Sequence, residues 1–152
     1  MRYEEFAPQF VIVMGGAGSG KNYWISKNPQ FKDYVLVDVD EIKQRMPLSS
    51  AIPQIKIDLE DNFRNRENVV HPTTGGNLLG QQNKIKLARA YGYQVTLVLI
   101  DTPLETAVKR VAQRAASGGH DVKPEAIEQS NEAARSNFSA LAKLVDRSQV
   151  VQ

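Results

Sequence analysis

Gly15, Gly20 and Lys21 stand at the spacing G-x-x-x-x-G-K, inside the run Gly15-Gly16-Ala17-Gly18-Ser19-Gly20-Lys21-Asn22-Tyr23. Glycines at this density let a backbone curl until successive N–H groups point inward at one anion. A helix opening at Gly20 adds the positive end of its dipole, and Lys21 adds a full charge within reach of outer phosphates. The spacing is that of a phosphate-binding loop, with Asn22 where a Ser or Thr hydroxyl normally meets Mg2+. An amide oxygen is also a hard donor, so Asn22 remains a metal candidate. The context agrees. Phe10–Met14 is a β-prone apolar run, and Tyr23–Ser26 continues as a helix until Asn28-Pro29 stops it. The run lacks the G-x-G-x-x-G spacing of a dinucleotide fold. Residues 15–23 are therefore expected to hold the phosphates of a nucleotide.

A second group of residues sits where other strands should end. Tyr34-Val35-Leu36-Val37 reads as a strand closing on Asp38-Val39-Asp40. A carboxylate beside a triphosphate can take a proton from a substrate hydroxyl or help hold Mg2+. Asp38 and Asp40 are both candidates. The bland alternative is that Asp40 caps a helix starting at Glu41. Asn68-Val69-Val70 reads as a third strand, ending at His71 and followed by Thr73 and Thr74. An imidazole is a poor Mg2+ ligand, whereas the two threonines offer hydroxyls to phosphate or substrate, or simply form a polar turn. Asp101 closes a fourth strand, Gln94–Ile100, and is read as a helix-dipole partner with a metal role in reserve.

Arg110 and Arg114 are four apart on one face of a helix that leads into Ala115-Ala116-Ser117-Gly118-Gly119-His120-Asp121. Guanidinium groups before a glycine-hinged stretch suit a lid over about residues 114–124 that places charge on a transferring phosphoryl group. A solvated basic face before a connector is the plain alternative. Arg64, with Arg66, ends the helix bearing Ile55, Leu59 and Phe63, and is a candidate for binding an acceptor's own phosphates.

The elements that must position these groups alternate. Apolar runs at Phe10, Val35, Val69, Gln94 and Ser148 are separated by helical patterns at Ile55–Phe63, Leu78–Ala88, Ala107–Ala115 and Ile127–Val145. Thr102-Pro103-Leu104-Glu105 reads as a capping box, and Lys123-Pro124 opens the last helix. Alternation of this kind means an α/β fold with a parallel sheet covered on both faces, whose ligands bind beyond the carboxyl ends of the strands. With 152 residues the chain has room for one domain, 1–152. Nineteen Lys+Arg against 17 Asp+Glu leave a net charge of only +2, which neither demands nor excludes nucleic acid. There is no cysteine, so disulfides and thiolate metal sites are excluded. No apolar run is long enough to span a bilayer, and a cytoplasmic protein without membrane partners is expected.

Taken together, the residues resemble the zeta-toxin-like kinases, a branch of the P-loop phosphotransferases that includes bacteriophage polynucleotide kinases. The matches are Gly15–Lys21, Asp38-Val39-Asp40-Glu41-Ile42-Lys43 with Pro47, Gly92-Tyr93, and Arg110-x-x-x-Arg114 with Gly118-Gly119-His120-Asp121-Val122, followed by Ile127, Asn137 and Leu141. The resemblance implies a three-layer P-loop sandwich around an adenylate-kinase-like sheet of about five parallel strands, order 2-3-1-4-5. It implies ATP and Mg2+, with Lys21 on the phosphates, Asp40 as general base, and Arg110 and Arg114 acting from the lid. The acceptor hydroxyl would belong to a nucleotide sugar, a nucleoside or a nucleic-acid end. The chain departs from the family pattern at Asn22, at His71 in place of an acid, and at Ser130 in place of an arginine. Asn22 and His71 carry the rival reading, a non-catalytic ATP-binding protein with a degenerate metal site.

Overall fold

The computed structural model describes residues 7–118 and 122–152. Strand β1 (Gln9–Met14) splits its side chains by the two-residue period of an extended chain. Phe10, Ile12 and Met14 face one apolar cluster, and Val11 and Val13 the other. The first cluster is the larger, filled by α3 (Leu48–Arg64), α4 (Leu78–Ala90) and α6 (Pro124–Leu141) through Ile55, Leu59, Phe63, Ile85, Ala134 and Leu141. The second face is covered more lightly, by Trp24 and Ile25 of α1 (Lys21–Ser26) and by Phe31 of a short 3-10 turn.

The remaining strands are β2 (Val35–Leu36), β3 (Val69–Thr73), β4 (Gln94–Ile100) and β5 (Arg147–Val151). Helix α2 (Val39–Arg45) follows β2, and α5 (Leu104–Ala116) follows β4. All pairings are parallel and the strand order is β2-β3-β1-β4-β5, as the resemblance implies. Met14 is level with both Thr73 and Leu99, so the central strands end at one edge. That edge is where the loops carrying polar residues gather.

Three local expectations change. The second strand is only two residues long, because Asp38 already turns the chain into α2, although Val37 N–H still donates to Val70 O at 3.0 Å. The third strand runs past His71 to Thr73, so His71 is a fully buried mid-strand residue rather than a strand end. Pro72 is tolerated there because Val70 C=O points towards β2 and Thr73 C=O towards β1. By alternation, the missing Pro72 N–H faces the side where β2 has already stopped. Finally, Thr102 does not cap α5, whose N-cap position is Pro103 without a side-chain bond. The Thr102 hydroxyl instead donates to Ser19 O at 2.7 Å, tying the strand end to the glycine loop.

Candidate active site

The loop after β1 is shaped from outside by its neighbours. Gly15 N–H donates to Thr73 O at 3.2 Å, and Ser19 N–H turns back to Gly16 O at 3.1 Å. Gly18 and Gly20 have φ of 74° and 90°, a region L side chains rarely adopt. A Cβ on Gly16 would lie 2.6 Å from the backbone nitrogen of Asn131, and one on Gly18 would lie 2.3 Å from Ala107 O. Helices α5 and α6 therefore press on the loop so closely that only glycine fits. The outward carbonyls are then claimed one by one. Arg110 Nη1 donates to Ser19 O at 2.8 Å and Gly18 O at 3.3 Å, and Asn131 Nδ2 donates to Ala17 O at 3.3 Å. Ser130 Oγ accepts from Ala17 N–H at 3.2 Å. The N–H groups of Gly18, Gly20, Lys21 and Asn22 have no acceptor among the described residues. Carbonyls bound by side chains and amides left without acceptors suit this loop to be an anion cradle.

Lys21 Nζ lies across this cradle, 2.7 Å from Gly15 O. Burial pushes its pKa down, while Asp40 and then Asp38 pull it back up. Both carboxylates come from the start of α2, but their tasks differ. Asp38 is the N-cap, with Oδ1 accepting from Asp40 N–H and Oδ2 from Asn22 Nδ2, each at 3.0 Å. The capping duty considered for Asp40 thus belongs to Asp38, and Asp40 stands in the first turn with an exposed carboxylate. Asn22 spends its amide N–H on Asp38, which leaves Oδ1 as the atom a cation would meet. Asn22 Oδ1 and the Asp38 carboxylate are hard oxygen donors of the kind that Mg2+ takes. Among the described residues no three His, Cys, Asp or Glu gather as a metal cluster, so phosphate oxygens and water would complete the shell.

The cleft in front of the loop has a volume of about 410 Å³ and is lined by Lys21, Asn22, Tyr23, Asp40, Arg110 and Arg114, among others. Four residues proposed from sequence as catalytic thus share one cavity. Arg110 is pinned to the loop's carbonyls, whereas Arg114 has no ion-pair partner among the described residues. Of the lid segment, residues 119–121 lie outside the described residues. Ser117, beside Gly118, lines the cleft.

Other candidates are placed elsewhere. Thr73 and Thr74 line a smaller neighbouring cavity of about 160 Å³ with Lys43 and Lys84. Asp101 pairs with Arg135 at 2.7 Å and does not line the cleft. His71 is buried, and burial holds its pKa well below the usual value, with the Lys84 charge adding to the effect. Val37 O can only accept, so His71 Nδ1 carries the proton in their 2.7 Å bond, and Nε2 accepts from Lys84 Nζ at 2.9 Å. Arg64 is at the opposite edge of the sheet. The neighbouring Phe63 packs on Phe10 and Tyr93, at the beginnings of β1 and β4. Arg64 itself pairs with Glu60 at 3.1 Å, and Arg66 lies over the Tyr93 ring. The structure does not bring Arg64 to the cleft. Sequence reasoning passed over Ser130, Asn131 and Thr102 as parts of the loop's frame. Asn131 carried a usable signal, because it follows Ile127 by four residues on the buried stripe of α6, where an amide must find partners.

The sequence profile described as AAA domain matches residues 10–139. No curated protein matches the sequence significantly. Among solved structures, a chain of the Pnkp1/Rnl/Hen1 RNA repair complex is 22% identical at a TM-score of 0.73, covering 88% of this chain and 46% of that one. The chain thus spans less than half the length of that relative. A chain of the PezAT toxin–antitoxin system of Streptococcus pneumoniae is 16% identical at a TM-score of 0.71, with 95% and 68% covered. Deoxyadenosine kinase from M. mycoides is 15% identical at a TM-score of 0.58, with 94% and 89% covered. At these identities the three structures establish a shared fold, that of the P-loop kinases.

Proposed function

The chain belongs to the AAA domain family, and from that premise we propose that it is a phosphotransferase moving the γ-phosphoryl group of ATP to an acceptor hydroxyl. The observation that carries this reading is the convergence of Lys21, Asp40 and Arg114 on the cleft in front of a glycine-built cradle. In the reaction the bond between the γ-phosphorus and its bridging oxygen breaks, and a bond from the acceptor oxygen forms. Asp40, exposed in the cleft and unburdened by capping, takes the acceptor proton. Lys21 leaves the Gly15 carbonyl for the phosphate oxygens, and Arg114 meets the charge on the transferring group. Arg110 acts one step back, holding the loop's carbonyls outward so that its amides stay inward. Mg2+, held by Asn22 Oδ1 and Asp38, would supply charge neutralisation on the phosphates. The chain acts as one domain, and the end of α5, with Arg114 and Ser117, is the described part of its lid. Among the described residues no helix is long and apolar enough to cross a membrane. An RNA repair complex and a deoxyadenosine kinase share the fold, so polynucleotide ends and nucleosides are the first acceptors to try.

Transfer of labelled γ-phosphate to a panel of nucleosides, nucleotide sugars and 5′-hydroxyl oligonucleotides tests the reading. Transfer is expected to fall by about a hundredfold or more in Lys21→Ala and Asp40→Asn, and to survive in Asn22→Ser. The Asn22–Asp38 bond supports a second reading, in which ATP is bound without turnover. It predicts that ATP raises the melting temperature while parent and Lys21→Ala are equally inert towards every acceptor.

A further inference from the structure

Beside the loop cleft, α2, α3 and α4 enclose two adjoining cavities of about 160 and 470 Å³, and Ile52, Ile55, Gly80 and Lys84 line both. Four lysines contribute to their walls, Lys43, Lys56, Lys84 and Lys86, and no Asp or Glu does. Lys43, Lys56 and Lys86 are exposed, whereas Lys84 is part-buried, and an ammonium drawn partly out of water is best offset by a carboxylate partner. Lys84 has none among the described residues. Its Nζ touches only neutral acceptors, His71 Nε2 at 2.9 Å and Gln81 Oε1 at 3.3 Å. The His71 proton is fixed on Nδ1 by Val37 O, so the imidazole serves to aim and hold the ammonium. Thr73 and Thr74 line the same cavity, and each hydroxyl oxygen accepts from a backbone N–H two residues on, leaving its own proton to donate.

We propose that this cavity is an oxyanion subsite for the acceptor, with Lys84 and Lys43 binding a phosphate monoester or carboxylate and Leu48 and Ile52 covering an apolar part of the same molecule. The proposal rests on the phosphotransferase reading for what lies next door. Lys43 and Asp40 are three residues apart on α2, which puts their side chains about 5–6 Å apart at Cβ. Lys43 is also near enough to both Lys21 and Lys84 to lower the pKa of each. An acceptor whose hydroxyl meets Asp40 can thus seat an anionic group about one helical turn away. A neutral nucleoside would leave Lys84 without its counter-charge.

Calorimetric titration of inorganic phosphate, and separately of acetate, into the whole protein saturated with a non-hydrolysable ATP analogue and Mg2+ tests this. The analogue fills the loop, so the phosphate heat reports the second cavity. Lys84→Met and Lys43→Met are each expected to weaken phosphate binding about tenfold or more, the usual worth of one charge-assisted bond. Lys84→Met should leave the analogue's affinity within about twofold, because Lys84 does not line the loop cleft. Unchanged phosphate affinity in both variants overturns the proposal. Should Lys84→Met misfold, the exposed Lys43→Met decides alone. Tighter phosphate than acetate assigns a phosphate monoester, and the reverse a carboxylate. If the analogue fails to bind while phosphate binding still depends on Lys84, phosphotransfer is wrong and the anion subsite stands. If the analogue binds and phosphate does not, the converse holds.

Discussion

The two cavities at the carboxyl edge of the sheet gather positive charge by opposite means. The loop cleft is a backbone device. Its free amides are aimed by carbonyls that Arg110, Asn131 and Thr102 hold outward, and its cations face the carboxylate of Asp40. The cavity of α3 and α4 is a side-chain device, a lysine aimed by a neutral histidine with no acid in the walls. A backbone cradle suits a ligand recognised by phosphates common to all nucleotides. A side-chain cradle can change with one substitution, which suits the acceptor.

The sharpest way to break the comparison is to remove one cation from each. Lys21→Ala should lower the rate of transfer by about a hundred- to thousandfold, because its ammonium meets charge that develops in the reaction. Lys84→Met should instead raise the acceptor KM and spare kcat, because it contributes binding equal in ground and transition states. Steady-state kinetics with the best acceptor of the panel separates the two. Equal losses of kcat would mean that both lysines serve the transferring phosphoryl group.

A backbone device also fails differently when a methyl group is added. Gly18→Ala combines a left-handed φ with a Cβ 2.3 Å from Ala107 O, whereas Gly118→Ala has a φ of 91° and nothing within 4 Å. The second should cost about 1–2 kcal/mol for conformation alone, and the first about 2–4 kcal/mol in sum. Urea denaturation of both gives the packing share by difference, and the ATP-induced rise in melting temperature should disappear only in Gly18→Ala.

The side-chain device carries its signature in pH. Burial, with the like charge of Lys43, holds the Lys84 pKa down at about 8. Between that value and 10.5 the unfolded chain binds the proton that the folded chain has released. Stability should therefore rise with pH across this window and be lost as pH falls through 8. From pH 7.5 to 9.5 the gain expected from Lys84 is about 1–2 kcal/mol, and it should be missing from Lys84→Met. His71 adds the same sign lower down, since its folded pKa is also depressed and protonation below about 6.5 favours the unfolded chain. A flat profile in the parent would show that Lys84 is solvated and the cavity open to water.

The contrast also explains what could be read without coordinates. The glycine loop, the alternation of strands and helices, and Asp40 after β2 are local patterns, because a phosphate loop must be contiguous to curl. The strand order followed from resemblance, and it held. What was not legible depends on residues far apart in sequence meeting at the sheet edge. Lys84 on α4 meets His71 on β3, Ser130 and Asn131 meet the loop more than a hundred residues away, and Thr102 gives its hydroxyl to Ser19 rather than to its own helix. Thr102 is instructive. Its spacing to Glu105 fits a capping box, but Pro103 takes the N-cap position and a buried carbonyl outbids the local N–H. His71 misled because β3 is longer than its apolar run, proline included.

Arg64 tests where the acceptor ends. An arginine at the close of an acceptor-side helix suits a phosphate, yet α3 is 17 residues long and so about 25 Å from end to end. Its N-terminal half, with Leu48 and Ile52, lines the anion cavity, and its C-terminus lies beside Phe10 and Tyr93 at the far edge of the sheet. Arg64→Ala should leave kcat and acceptor KM unchanged for any acceptor small enough to bridge Asp40 and Lys84. A rise in KM confined to oligonucleotides, with a shallower salt dependence of their binding, would mean that the acceptor is a strand running along α3. That outcome would still leave Lys84 as its first phosphate contact, and would place the remaining contacts on a surface the small cavity alone does not define.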